Sequence, residues 1–141
     1  MMDSRQAAFY LHAATLLADV QQATGWQDKY RLLMVLGKDM PTLDANLRND
    51  TTRVDGCESE AWLVSHQQAD GRWSFNFDAD ARIIKGTIAL LLSQLQQKTS
   101  CEIQQLDIKA LFESLGLAQG LSPSRSNGVH AVIEKIHALM D

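Results

Sequence analysis

The sequence predicts an α+β fold in which a small antiparallel sheet packs against several helices. Three observations carry this. Apolar residues recur at helical spacing in several separate stretches. One pair of strand-like segments, Ala61 to Ala69 and Arg72 to Asp78, is joined by Asp70-Gly71, a strong hairpin signal. One later segment, around Ile84 to Leu95, has a wide apolar stripe and reads as the central core helix. No internal repeat, low-complexity run or linker divides the chain, so residues 1–141 read as one domain.

From Ser4 to about Gln22, Phe9, Ala13, Leu16, Leu17 and Val20 form the apolar face of a first helix. Thr24-x-x-Gln27 then reads as a capping box for a second helix. Its buried side is expected to carry Trp26, Tyr30, Leu33, Met34 and Gly37, and Pro41 closes it. Thr42 to Thr52 is polar and reads as a loop or single turn, and Thr52 to Val54 could add a third strand.

In the hairpin, a two-residue turn would pair Ala69 with Arg72. His66 then faces Phe75 and Val64 faces Phe77. Trp62, Val64 and His66 would share the apolar face with Trp73, Phe75 and Phe77, which makes His66 a packed structural residue. Asp78 or Asp80 is expected to cap the core helix. Gly86 inside that helix implies a close backbone contact, expected against the loop that carries Cys57. Thr99 and Glu102 read as a capping box, and Asp107 as the cap of a helix through Leu115 with Gly116 just beyond it. Ser122-Pro123 opens the last helix, whose stripe is Val129, Val132, Ile133, Ile136 and Leu139.

Composition excludes several function classes. The balance of 13 basic and 17 acidic residues disfavours nucleic acid as a partner. No apolar run approaches the ~20 residues a membrane span needs, and the N-terminus lacks a signal pattern. Two cysteines far apart, Cys57 and Cys101, make no disulfide framework, and a cytoplasmic, reducing compartment is the simplest expectation. There is no phosphate loop, no Cys-x-x-Cys, no His-Glu-x-x-His and no metal-ligand spacing, so no metal site is expected.

One group with chemistry remains. Cys57 follows Gly56, which lets the chain turn sharply, and Asp55, Glu58, Ser59 and Glu60 make its surroundings a polar loop. The bland alternative, a small core cysteine, fits that composition poorly. Cys101 falls in the first turn of a short helix and lacks the glycine turn. Arg125 is a cation in the first turn of the last helix, where the dipole prefers acids. It reads either as a solvated surface arginine or as part of an anion-friendly corner that would stabilise a thiolate. With no base evident beside Cys57, the residues suit a thiol that accepts or hands on a group. A cysteine hydrolase using His66 or His130 and a non-catalytic adaptor stay open as alternatives.

Five segments resemble the SufE/CsdE family of sulfur acceptors. They are Trp26-Gln27-Asp28-Lys29-Tyr30-Arg31 with Leu36-Gly37-Lys38, Val54-Asp55-Gly56-Cys57-Glu58-Ser59-Glu60-Ala61-Trp62, Ile84-Lys85-Gly86, Leu111 to Leu117, and Leu121 to Gly128. The Gly-Cys-x-Ser-x-x-Trp and Ser-x-Ser-Arg-Ser-x-Gly patterns are the specific ones, and the Trp26 and Leu111 segments lean to the CsdE branch. The helix before residue 24 is the least family-like. The resemblance implies an IscU-like fold and a persulfide on Cys57, taken from a SufS/CsdA-type cysteine desulfurase and passed to an Fe–S assembly scaffold or another acceptor. It implies no bound cofactor, since the PLP belongs to the desulfurase. Arg125 becomes a candidate anion stabiliser, and Gly56, Glu58, Ser59, Trp62, Gly86 and Ser126 become loop or partner-facing residues. Glu58 and Glu60 beside the cysteine, and Asn127 in place of a glutamine, depart from the family pattern.

Overall fold

The computed structural model describes residues 2–56 and 60–141. Its elements are α1 (Ser4–Gln22), α2 (Trp26–Asp39), a 3-10 turn (Ala45–Leu47), β1 (Ala61–Gln67), β2 (Arg72–Ala79), α3 (Arg82–Ser93), β3 (Lys98–Thr99), α4 (Ser100–Gln105), α5 (Ile108–Ser114) and α6 (Pro123–Met140). The strands form one antiparallel sheet in the order β1-β2-β3.

The core is built on α3, whose Ile83, Ile84 and Gly86 through Leu92 are all buried. A helix apolar all round must be covered on every side. Helices α1, α2 and α6 and strand β2 cover it. Two glycines bring α2 and α3 to backbone contact. A Cβ on Gly86 would overlap the Leu33 carbonyl, and a Cβ on Gly37 would overlap that of Arg82. The expected close contact at Gly86 is therefore real, but it is with α2 and not with the cysteine loop.

The buried side of α2 is Lys29, Leu33, Leu36 and Gly37. Trp26 is half-buried and packs on the core, as expected, but Tyr30 is 41% exposed. The expected capping box is absent: Gly25 is the N-cap and makes no side-chain bond. The core helix also lacks a side-chain cap, since its N-cap is Ala81. Asp78 instead accepts from the Leu43 amide at 3.1 Å and lies 3.6 Å from the Lys85 ammonium, tying the segment after α2 to the sheet and to α3. The capping box of Thr99 and Glu102, the Asp107 cap, and Ser122 with Pro123 at the start of α6 are as expected.

The hairpin differs from expectation by one residue. The Gly71 amide donates to the Gln68 carbonyl at 2.9 Å, and the Gln68 amide donates to the Arg72 carbonyl at 2.8 Å. With Gly71 at φ 89°, this is a three-residue loop with a glycine bulge, not a two-residue turn. Leu63 pairs with Phe77, Ser65 with Phe75, and His66 with Ser74. Because strand side chains alternate, a slip of one moves a whole set to the other face. Ala61 and Leu63 join Phe75 and Phe77 in the core, while Trp62, Val64 and His66 take the outer face. His66 is therefore exposed rather than packed.

The third strand is also placed elsewhere. Lys98 and Thr99 pair with Trp73 and Arg72, and the Gln96 side chain continues the edge by donating to the Phe75 carbonyl at 2.7 Å and accepting its amide at 2.9 Å. Thr52 to Val54 makes only one isolated bridge, Arg53 opposite Trp62.

Candidate functional site

The segment before Cys57 is held as an arm against β1 and α6. Its start is a turn locked by Asn49, whose carboxamide oxygen accepts from the amides of Thr51 and Thr52 at 2.9 and 3.1 Å. The Leu63 amide then donates to the Thr52 carbonyl at 2.8 Å, and the Val54 amide donates to the Ala61 carbonyl at 2.8 Å. Val54 is buried and anchors the arm in the core. Backbone pairing thus clasps the chain on both sides of residues 55–60.

The arm ends at Gly56, with φ 90°. Residues with a Cβ rarely adopt that angle, so glycine is required for the bend itself. Its built Cβ position lies 3.6 Å from the Ala131 Cβ, which sets the tip of the arm on α6. One helical turn further along α6, the Lys135 ammonium donates to the carbonyls of Arg53 at 2.7 Å and Thr51 at 3.1 Å. The arm therefore runs antiparallel to α6, toward the helix N-terminus. Beside it lies an open cleft of about 450 Å³ lined by Arg53, Asp55, Ala131, Glu134, Lys135 and Ala138. Burial lowers the Lys135 ammonium below its ordinary pKa, and the Asp55 carboxylate opposes that shift.

Cys57, Glu58 and Ser59 lie outside the described residues. Gly56 adopts the glycine-favouring angle expected of a sharp turn. Trp62 is opposite Arg53 at the arm's base, half-buried, with the Arg48 guanidinium 5.5 Å above its ring. Arg125 is exposed in the first turn of α6, and its amide donates to the Ser122 hydroxyl at 3.3 Å. It lies about 9 Å along the helix from Ala131 and about a third of a turn around from it. It is at the end of α6 toward which the arm runs, but not centred on the arm-facing side.

Two expected residues are not brought to this site. Gly86 belongs to the α2–α3 contact. Ser126 lines a separate cavity of about 220 Å³ with Phe112, Leu117, Leu121 and His130. There His130 meets the Phe112 ring edge-on at 5.4 Å. Neither His66 nor His130 lines the cleft beside Gly56. Cys101 is exposed on α4, which follows β3 at the sheet edge opposite the arm, and its thiol is 3.8 Å from the Gln105 amide nitrogen.

Lys135 and Arg48 were not legible as site residues, since each acts through a tertiary contact. The small residues Ala131 and Ala138 on the polar side of α6 were the available signal that something packs there. Among the described residues no group of His, Cys, Asp or Glu could hold a metal ion, and no helix is long and apolar enough to cross a membrane.

Residues 14–140 match the SufE family, described as the Fe-S metabolism associated domain. The chain is 40% identical to the sulfur acceptor protein CsdE of Escherichia coli over 89% of its own length and 86% of that protein. It is 38% identical to an uncharacterized SufE-like protein of Rhizobium etli over 79% of this chain and 77% of that one. A solution structure of a hypothetical protein from Thermus thermophilus superposes with a TM-score of 0.68, covering 94% of this chain and 93% of that one. At 16% identity it speaks to fold alone.

Proposed function

Because the chain belongs to the SufE family, on its CsdE side, we propose that it is a sulfur acceptor that takes persulfide sulfur from a PLP-dependent cysteine desulfurase onto Cys57. The structural observation that favours this is the arm ending at Gly56. A backbone paired to β1, seated on Ala131 and turned at φ 90° gives the next residue a defined starting point on an otherwise polar loop.

The chemistry needs little else from this chain. The Cys57 thiolate attacks the outer sulfur of the desulfurase persulfide. A new sulfur–sulfur bond forms at Cys57, the partner's sulfur–sulfur bond breaks, and its electron pair returns to the partner cysteine as thiolate. Only the thiolate is competent, so the local field matters. Asp55, Glu58 and Glu60 raise the cost of that charge. Arg125 and the positive end of the α6 dipole offset it, in the direction toward which the arm runs. The sulfur is then passed to an Fe–S assembly scaffold or another thiol acceptor. The PLP stays with the desulfurase, and this chain acts as its partner and activator in the cytoplasm.

Desulfurase turnover in the presence of each variant tests this. Cys57→Ser abolishes stimulation and Cys101→Ser preserves it. Full stimulation by Cys57→Ser would instead make the chain an adaptor.

A further inference from the structure

The arm pairs with β1 at a single bridge and has an exposed outer side. Its inner side is satisfied by β1 through the Thr52 carbonyl and the Val54 amide. Alternate backbone groups of an extended segment point the opposite way, so the carbonyls of Thr51 and Arg53 face outward. The Arg53 amide is taken by the Asn49 carbonyl at 2.9 Å. That leaves two outward carbonyls on an edge that needs covering. Both are met by one side chain, Lys135, which spans 82 and 84 residues of sequence to reach them.

We infer that Lys135 is a positioning residue for sulfur transfer: its ammonium fastens the Thr51–Gly56 arm to α6 and so fixes where the chain toward Cys57 begins. The inference rests on Cys57 being the acceptor. A lysine fits because its ammonium carries three donors on a flexible stem. Two are used by the carbonyls, and Asp55 supplies a negative charge in the same cleft. Buried Val54, paired to β1, is the second point of attachment, and Gly56 passes near Ala131 one helical turn away from Lys135. Two attachments define a direction as well as a position. Removing one leaves the arm hinged at its pairing with β1.

The test uses the full chain with Lys135→Met, which keeps the stem, and Lys135→Arg, which keeps charge and donors. Two quantities are read. The first is amide hydrogen exchange at Thr52 to Val54 and Leu63, against α3 as the measure of global opening. The second is the rate of sulfur uptake from a cysteine desulfurase, separated into kcat and KM. Lys135→Met speeds exchange in the arm about tenfold with α3 unchanged, and lowers kcat for uptake about tenfold with KM held within about twofold. Lys135→Arg recovers most of both. Arm exchange and kcat both within twofold of the parent overturn the inference. So does acceleration in α3 equal to that in the arm, because the effect is then global stability. Failure of the parent protein to take up sulfur refutes the acceptor reading, while the exchange comparison still reports on the arm.

Discussion

The Lys29 ammonium lies 2.6 Å from the Val20 carbonyl oxygen and 3.4 Å from that of Gln21, closing the C-terminus of α1 from the adjacent helix. Helix α1 has no basic residue of its own in its last turn. The last carbonyls of a helix need donors and favour positive charge. A buried lysine, which would otherwise be costly, is stabilised by meeting both needs. Lys29→Met, similar in size and without donors, should lower stability by about 1–3 kcal/mol. Thermal unfolding checks this, and Cys57 chemistry should be unaffected below the transition.

Gly86→Ala should be more damaging than a helix-propensity argument suggests. Alanine is the better helix former by roughly 1 kcal/mol. Here its Cβ would strike the Leu33 backbone, so α2 and α3 must separate. Destabilisation of about 2 kcal/mol or more is expected from overpacking, read by urea unfolding. A stabilised variant would refute the close helix contact.

Gly56→Ala separates backbone angle from space. Among the described residues the Cβ site meets only Ala131, at ordinary contact distance, so the penalty is conformational. A non-glycine residue held at φ 90° costs about 1–2 kcal/mol. The arm should relax to another angle in preference to unfolding the core. Sulfur uptake should therefore fall well before thermal stability does.

The Glu102 capping box predicts a small acid-dependent effect. The Glu102 carboxylate accepts from the Thr99 amide at 3.0 Å, and that bond holds its pKa below the ordinary carboxylate value. A group whose folded pKa is depressed contributes stability above its unfolded pKa and loses it as pH falls through the folded value. Glu102→Gln keeps an acceptor but does not titrate. Unfolding curves at neutral pH should favour the parent, and the difference should shrink as pH falls below the ordinary carboxylate range and through the depressed folded value.

The helices were legible because their signals are local: periodic apolar residues, Asp107, Ser122-Pro123, and the Thr99–Glu102 pair. The hairpin existed in the sequence, but its register did not. Asp-Gly serves both a two-residue turn and a three-residue loop with a glycine bulge, and only packing chooses between them. That choice sent His66 outward. His66→Ala should accordingly change stability by no more than about 0.5 kcal/mol, whereas Phe75→Ala should cost about 3–5 kcal/mol. Strand β3 was missed because two residues carry no period. The Lys135 contacts were invisible because they join segments more than 80 residues apart. The expectation at Cys57 rests on Gly56 and the polar loop in the sequence, and the residue lies outside the described ones.

The most direct measurement is intact mass after the protein is mixed with a PLP-dependent cysteine desulfurase and cysteine, without reductant. The account predicts added mass of one sulfur atom on the parent and on Cys101→Ser, removed by dithiothreitol and absent from Cys57→Ser. No added sulfur on the parent, or undiminished addition to Cys57→Ser, would contradict it.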